Sequence, residues 1–345
     1  MFDFTAVPIL ANFGILAFAG AAVWFAGTRL AGYADEIAQL TGLGSALAGM
    51  ILLAGITSLP EIAVSVSAGF SGSAELAVNN LLGSIALQVV VLALGDWVLG
   101  GLALSFVIGK PEVLLQGIFG AVLLAFVCGA IAAGDHAFLG AGIWTLGLTV
   151  LSFLLLWFVA NADQSERSGW VPQDMPDLGD VTGEKYSPDT LPRAITMTAT
   201  MAAIILAAGF VLARTGDALA AQSGLGGSFI GATLLGLATS LPEISTLVAA
   251  VRLKRYSMAF GDIFGTNIIN VALIWLIDLA YPGGPILNEV GAFSQVAASL
   301  GIVLTLLYVA GLVERRNRTL GRLGLESWAV IVTYLGGVAV LFSLR

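Results

Sequence analysis

Two glutamates, Glu61 and Glu243, stand deep inside apolar runs, each within a copy of the hexapeptide TSLPEI at residues 57–62 and 239–244. A charged side chain at the middle of a bilayer costs about 3 kcal/mol on insertion scales, so a carboxylate placed there twice in the same setting signals ion or proton chemistry. Thr57 precedes Glu61 by four positions and Thr239 precedes Glu243 likewise, which puts hydroxyl and carboxylate on one helical face. Ser58 and Ser240 add a second hydroxyl to each copy. Pro60 and Pro242 carry no backbone N–H, so the carbonyls of Ile56 and Ala238 are expected to lose their helical partners and to enrich the pocket in oxygen.

Further along, Asn80, Ser84 and Gln88 in the first copy, and Asp262, Thr266 and Asn270 in the second, recur every four residues and form one polar stripe per span. Gly83 and Gly265 beside them permit close helix packing or local bending. Taken singly, a Ser or Thr between membrane helices is as readily hydrogen-bond glue, worth about 0.6 kcal/mol. That role does not suit two glutamates at matching positions, each flanked by hydroxyls and a proline. The donors are all oxygens, with no thiolate or imidazole, and such a set selects hard cations such as sodium or calcium over zinc or copper. The single cysteine, Cys128, is expected to pack within its span, and the single histidine, His136, falls in a short outer turn. No nucleophile and base pair stands out, so the chain is read as a non-enzyme without a cofactor.

The elements that must carry these residues are membrane spans. Of 345 residues 58% are hydrophobic and 10% charged, with mean hydropathy +0.97, whereas soluble domains are about a quarter charged. The expected fold is an all-α polytopic membrane protein. Ten apolar stretches of spanning length run near 8–28, 38–71, 74–98, 112–133, 138–160, 193–214, 221–251, 257–280, 287–312 and 324–344. The second is too long for one straight helix across the hydrocarbon core and must tilt, break or protrude. A shift of 182 positions aligns Asp35 with Asp217, Gly42 with Gly224, Pro60 with Pro242, Gly83 with Gly265 and Asp96 with Asp278, without a gap. The pattern predicts two five-helix repeats, 1–161 and 193–345, joined by an acidic cytoplasmic linker at 162–192. Because five is odd, the second repeat must enter the membrane from the opposite side, giving the inverted repeats from which transporters are built.

The basic residues test that topology independently. Arg29, Lys110, Arg167, Lys185, Arg193, Arg252, Lys254, Arg255, Arg315, Arg316, Arg318 and Arg322 follow odd-numbered spans, and only Arg214 and Arg345 lie on the other side. An excess of Lys and Arg marks cytoplasmic loops, which puts both termini outside the cytoplasm. The first copy turns at Ser71-Gly72-Ser73 and the second at Leu253-Lys254-Arg255, so equivalent loops are expected to face opposite compartments. The first 28 residues lack Lys and Arg, unlike the leading region of a signal peptide, and span 1 is read as retained. The linker holds Asp163, Glu166, Asp174, Asp177, Asp180, Glu184 and Asp189; it lacks the glycine turn of a calcium loop, and a solvated acidic segment explains its composition.

These residues resemble the sodium/calcium exchanger family, within the wider calcium/cation antiporter superfamily, in a prokaryotic-type member. The likeness rests on paired motifs at 54–88 and 236–270: TSLPEI with its glutamate, then NNLLGSIALQ at 79–88 and GDIFGTNIIN at 261–270. It implies that spans 2, 3, 7 and 8 form a core in which Glu61 and Glu243 bind cations, with Gln88 and Asn270 completing a central diamond. Thr57 and Thr239 would offer carbonyls and hydroxyls, and Ala54 and Gly236 carbonyls. Ser58, Ser240, Ser84 and Thr266 match positions that line flanking sodium sites, and spans 1 and 6 would slide across the core as a moving gate. Three departures stand out. Ile85 and Gln88 replace asparagines of the first motif; Asn270 stands where potassium-dependent and many microbial members carry Asp, which disfavours potassium cotransport. The third is Asp262, aligned with the more usual Asn80 and about 12 Å before Asn270 along a regular helix. Asp262, with Asn80, is read as part of the access path, or alternatively Asp262 is a helix N-cap after Gly261. Asp96 and Asp278 are read as positional rather than as ion ligands.

Two ionised glutamates are neutralised by one Ca²⁺ or by two Na⁺, and loading both would bury uncompensated positive charge, so occupancy is mutually exclusive. The expected function is secondary active cation antiport, sodium/calcium exchange by alternating access around a midplane site. The alternative is a calcium/proton antiporter, since two protons balance one Ca²⁺ equally well; the hydroxyls at 57, 58, 84, 239, 240 and 266 favour sodium. Interrupted helices in inverted halves disfavour a passive channel. The expected partners are the lipid bilayer and small inorganic cations, with no nucleic acid, and the expected location is a bacterial or archaeal inner (plasma) membrane.

Overall fold

A computed structural model describes residues 4–108, 110–161, 190–223, 233 and 236–344 of the chain. The acidic linker up to residue 189, with the calcium loop considered there, lies outside the described residues, as does most of the leading part of the expected seventh span.

Helix α1 runs over Ile9–Thr41, well past the expected end near residue 28. Arg29 does not stop it, because Leu30, Ala31, Ala34 and Ala38 continue a buried stripe beyond the charge. It ends where Gly42 takes φ 74°, a left-handed C-cap that glycine adopts without strain. The second stretch accordingly begins at Ser45 rather than near 38. It breaks as its length requires: α2, Ser45–Thr57, and α3, Leu59–Phe70, meet at 43°. Pro60 sits in the first turn of α3, where a missing N–H is tolerated. A further irregularity that the pattern did not foretell is a single π turn at Gly49–Leu53 inside α2.

The first half continues with α4, Ala74–Leu99, α5, Pro111–Ala133, and α6, Ile143–Ala160. The second comprises α7, Leu191–Ser223, α8, Gly236–Thr239, α9, Leu241–Arg252, α10, Tyr256–Ala280, α11, Ala292–Glu314, and α12, Leu325–Ser343. Among the described residues eight helices are long and apolar enough to cross a membrane, nine when α2 and α3 count as one span. The shift of 182 that aligns the sequence also carries α1 onto α7 and α3 onto α9 residue for residue. It carries the two-residue hairpin strands Ala137–Phe138 and Ala141–Gly142 onto Thr319–Leu320 and Leu323–Gly324, register included.

Asp96 and Asp278 obey the same shift in their bonds. Asp96 Oδ1 accepts Leu104 N at 2.6 Å and its Oδ2 accepts Gly324 N at 2.7 Å. Asp278 Oδ1 accepts Ile286 N at 2.8 Å and its Oδ2 accepts Gly142 N at 2.7 Å. Each aspartate thus ties a loop of its own half to the hairpin of the other, the positional role expected of both.

Helices α4 and α10 lie at the centre, buried on nearly every side with their polar stripes enclosed among neighbouring helices. The long α1 and α7 pack lengthwise on each other, and each leans on the broken helix of the opposite half, α1 on α9 and α7 on α3. Contact there is close: a Cβ at Gly27 would strike Ser245 and the Pro242 carbonyl, and one at its repeat-mate Gly209 would strike the Pro60 ring.

Candidate cation site

The break at Ser58 turns α3 so that Glu61 enters its first turn fully buried, and the break at Ser240 does the same for Glu243 on α9. Backbones crowd together around them. A Cβ at Gly49 would meet the Met258 carbonyl and Asp262 N, one at Gly261 the Ala46 carbonyl and Met50 N, and one at Gly265 the Met50 Cα. Only glycines let the π turn of α2 cross α10 at this separation.

The two halves meet across the site. Glu243 has Glu61 and Asp262 as electrostatic neighbours, and Glu61 has Asp262; the Thr239 side chain lies beside Glu61 and that of Thr57 beside Glu243. Ser84 Oγ and Thr239 Oγ1 are 3.3 Å apart, joining α4 to α8. No oxygen of Glu61 or Glu243 has a hydrogen-bond partner, and neither do the side-chain amides of Gln88 and Asn270 or the hydroxyls of Ser240 and Thr266. All six side chains are fully buried. Buried polar groups ordinarily find partners, and each that does not costs about 1–3 kcal/mol or more when charged. This density of unpartnered oxygen fits a set of ligands for a cation taken up from water.

The remaining expected residues have other attachments. Ser58 Oγ donates to the Ala54 carbonyl at 2.6 Å, so these two oxygens satisfy each other in this conformation. Thr57 Oγ1 is 3.4 Å from the same carbonyl, and Thr239 Oγ1 is 3.3 Å from the Gly236 carbonyl. Asn80 donates from Nδ2 to Ser65 Oγ at 3.1 Å. Asp262 is not an N-cap: α10 starts at Tyr256 after an Arg255 cap, and Asp262 lies fully buried in the helix interior. Thr57 Oγ1 donates to its Oδ1 at 3.3 Å, and Thr246 Oγ1 donates a short bond to its Oδ2.

Thr246 was missed by pattern reasoning, although a signal existed in a hydroxyl one turn beyond Glu243 on α9. The buried ion pair of Asp35 on α1 with Arg255, which carries a second bond from Nη2 to Oδ2 at 3.1 Å, had no local signal, since the partners are 220 positions apart. Among the described residues no three Asp, Glu, His or Cys side chains converge tightly enough to hold a metal. An ion taken by the glutamate pair must therefore complete its shell from amides, hydroxyls and carbonyls.

The family model described as sodium/calcium exchanger protein matches residues 11–170 and 193–343. The chain is 26% identical over 325 residues to CaxA of Alkalimonas amylolytica, a protein named as an antiporter, covering 93% of this chain and 95% of that one. It is 34% identical over 113 residues to the sodium/calcium exchanger MaX1 of Methanosarcina acetivorans, covering 32% of this chain and 31% of that one. In fold it is similar to the solved sodium-calcium exchanger NCX_Mj, with TM-score 0.68 and 18% identity over 98% of this chain and 100% of that one.

Proposed function

The chain belongs to the sodium/calcium exchanger family, and from that premise we propose that this integral membrane cation antiporter exchanges Na⁺ for Ca²⁺ at the paired glutamates Glu61 and Glu243. The observation that carries the reading is the pair of fully buried carboxylates without a hydrogen-bond partner, one from each half, among equally unpartnered amides of Gln88 and Asn270. Ca²⁺ prefers six to eight oxygens, which two carboxylates, two amides and the hydroxyls and carbonyls of Thr57, Thr239, Ala54 and Gly236 supply. Ser58, Ser240, Ser84 and Thr266 add flanking oxygens for Na⁺. Two Na⁺ or one Ca²⁺ neutralise the pair, and a bare pair of buried carboxylates is too costly to cross, so the carrier cycles only when loaded.

Alternating access follows from the two inverted five-helix halves: α1 and α7 move together over the broken helices, across the glycine contacts of Gly27 with Pro242 and Gly209 with Pro60. The experiment is ⁴⁵Ca²⁺ uptake into proteoliposomes loaded with Na⁺, beside vesicles carrying only an outwardly directed proton gradient. Uptake with Na⁺ that Glu61→Gln and Glu243→Gln each abolish is the expected result. Uptake with the proton gradient alone would replace the reading by Ca²⁺/H⁺ exchange, and no mutant-sensitive flux under either gradient would reject the Ca²⁺ assignment.

A further inference from the structure

A second concentration of unpartnered oxygen lies outside the transport core, where the end of α4 meets α11 and the start of α12. Asp96 and Glu326 are electrostatic neighbours there, and Tyr308 and Ser327 lie beside them. Gly324 fixes the approach of the two carboxylates. Its N–H donates to Asp96 Oδ2 at 2.7 Å, and a Cβ on it would strike both carboxylate oxygens of Glu326. Glu326 also folds over Gly311 of α11. Among the described residues neither carboxylate forms an ion pair with Lys or Arg; Arg318 engages Glu314, and Arg322 stacks on Trp97.

Three hydroxyls surround this pair. Ser105 Oγ donates to Glu326 Oε1. The Tyr308 hydroxyl and Ser327 Oγ have no hydrogen-bond partner, although both side chains are fully buried. Each orphaned hydroxyl costs about 1–3 kcal/mol, and two of them beside a pair of carboxylates without a counter-charge point to a positively charged guest.

The internal repeat separates the anchor from its surroundings. Shifted by 182, Asp96 falls on Asp278, but Ser105, Tyr308 and Glu326 fall on Leu287, Phe126 and Trp144. Ser327 falls on Thr145, whose hydroxyl donates to Asp278 Oδ2 at 2.6 Å, a bond that Ser327 does not make. The other hairpin does bring a carboxylate against its glycine, Asp135 at Gly142. Asp135 Oδ1, however, accepts backbone N–H groups from His136 at 2.8 Å and Trp144 at 3.0 Å and so shapes its own hairpin. Glu326 accepts only the Ser105 hydroxyl among the described residues. Tying loop to hairpin therefore needs the aspartate alone, and the extra oxygens of the second cluster have another use.

We propose that Asp96 and Glu326, with the hydroxyls of Ser105, Ser327 and Tyr308, form a second cation site that takes one hard divalent ion and staples the two halves together. Two carboxylates neutralise one divalent charge. A carboxylate has about four lone-pair positions, so Asp96 can keep both backbone bonds and still face the ion. Glu326 is half-buried, which leaves an edge for entry and for the waters that complete the shell. Asp96 and Ser105 come from the first half and Tyr308, Glu326 and Ser327 from the second, so a bound ion joins them.

The site does not depend on which ions are exchanged, and the test is set in a chain whose transport pair is disabled. Detergent-purified Glu61→Gln/Glu243→Gln protein is titrated with Tb³⁺, a hard cation whose emission is excited through nearby aromatic rings, and Ca²⁺ and Mg²⁺ then compete for it. One bound ion per chain, displaced by Ca²⁺ or Mg²⁺ and lost when Glu326→Gln is added, is the expected outcome. The same divalent ion should raise the unfolding temperature of the background chain but not of the Glu326→Gln chain. No binding in the background chain, binding that Glu326→Gln leaves unchanged, or Tb³⁺ that neither divalent ion displaces overturns the proposal and leaves sodium/calcium exchange intact. Should the background chain not fold, Glu326→Gln alone decides: Tb³⁺ bound at saturation falls by one equivalent per chain if the site exists, and an equal count rejects it. Tyr308→Phe, which removes one oxygen and keeps the ring, is expected to weaken Tb³⁺ binding at this site several-fold; an unchanged affinity overturns the ligand set.

Discussion

Among the aspartates of this chain, Asp278 and Asp262 separate by what their oxygens already do. Asp278 accepts two backbone N–H groups and the Thr145 hydroxyl at 2.6 Å, so its bonding capacity is spent on holding loops. Hydrogen bonds to a charged group contribute about 1.5–3 kcal/mol each, and leaving the loop N–H groups unpaired adds to the loss. Asp278→Ala is therefore expected to lower the unfolding temperature of the detergent-purified protein markedly, while the Ca²⁺ concentration for half-maximal uptake by the folded fraction stays put. A variant as stable as the wild type but with weakened Ca²⁺ uptake would make Asp278 a ligand after all. The sequence could rank these residues only by repeat position. Glu61 and Glu243 stand out in the sequence because a repeated carboxylate in an apolar run has few explanations, and both are buried without a hydrogen-bond partner. The different bonding of Asp262 and Asp278 depends on partners far along the chain, Thr57 for one and Gly142 for the other, and no local pattern encodes those.

Elements were readable where apolar runs and breakers agree, and misread where a charge interrupts a run without ending it. The proline in each TSLPEI copy announced a broken helix, and the 43° bend between α2 and α3 follows from it. Arg29 marked a boundary that does not exist, because the helix end is set by a left-handed glycine thirteen residues later at Gly42. The π turn at Gly49–Leu53 answers a contact with α10 that only the folded molecule presents. The same long-range logic governs the Asp35 and Arg255 pair, which pins α1 to the first residues of α10 with both side chains buried. Removing one member of a buried pair leaves the other charge stranded at a cost of about 3–5 kcal/mol. Arg255→Gln is expected to destabilise the protein by an amount of that order, and adding Asp35→Asn to recover part of it, since the double variant strands no charge. Thermal unfolding of the two variants in detergent checks this; equal destabilisation by each change, summing in the double, would mean that the pair does not act as a unit.

At the scale of the whole molecule, the shift of 182 relates helix bounds, hairpin register and the bonds of Asp96 and Asp278, yet the halves are not copies in charge. The turn between α3 and α4 is Ser71-Gly72-Ser73, and its mate between α9 and α10 is Leu253-Lys254-Arg255. If both halves crossed the bilayer in the same sense, these two turns would share a compartment, and selection for cytoplasmic Lys and Arg would have no reason to treat them differently. The odd number of spans per half that the sequence predicts would remove the paradox, since it would force the mates to opposite faces. Cysteines placed one at a time at Ser71 and Lys254, in a Cys128→Ser background, are therefore expected to differ in labelling by a membrane-impermeant maleimide applied to intact cells. Ser71→Cys should label from outside, whereas Lys254→Cys should label only after permeabilisation. Labelling of both from one side would break the inverted arrangement, and with it the argument that α1 and α7, leaning on opposite broken helices, can open the glutamate pair to each face in turn.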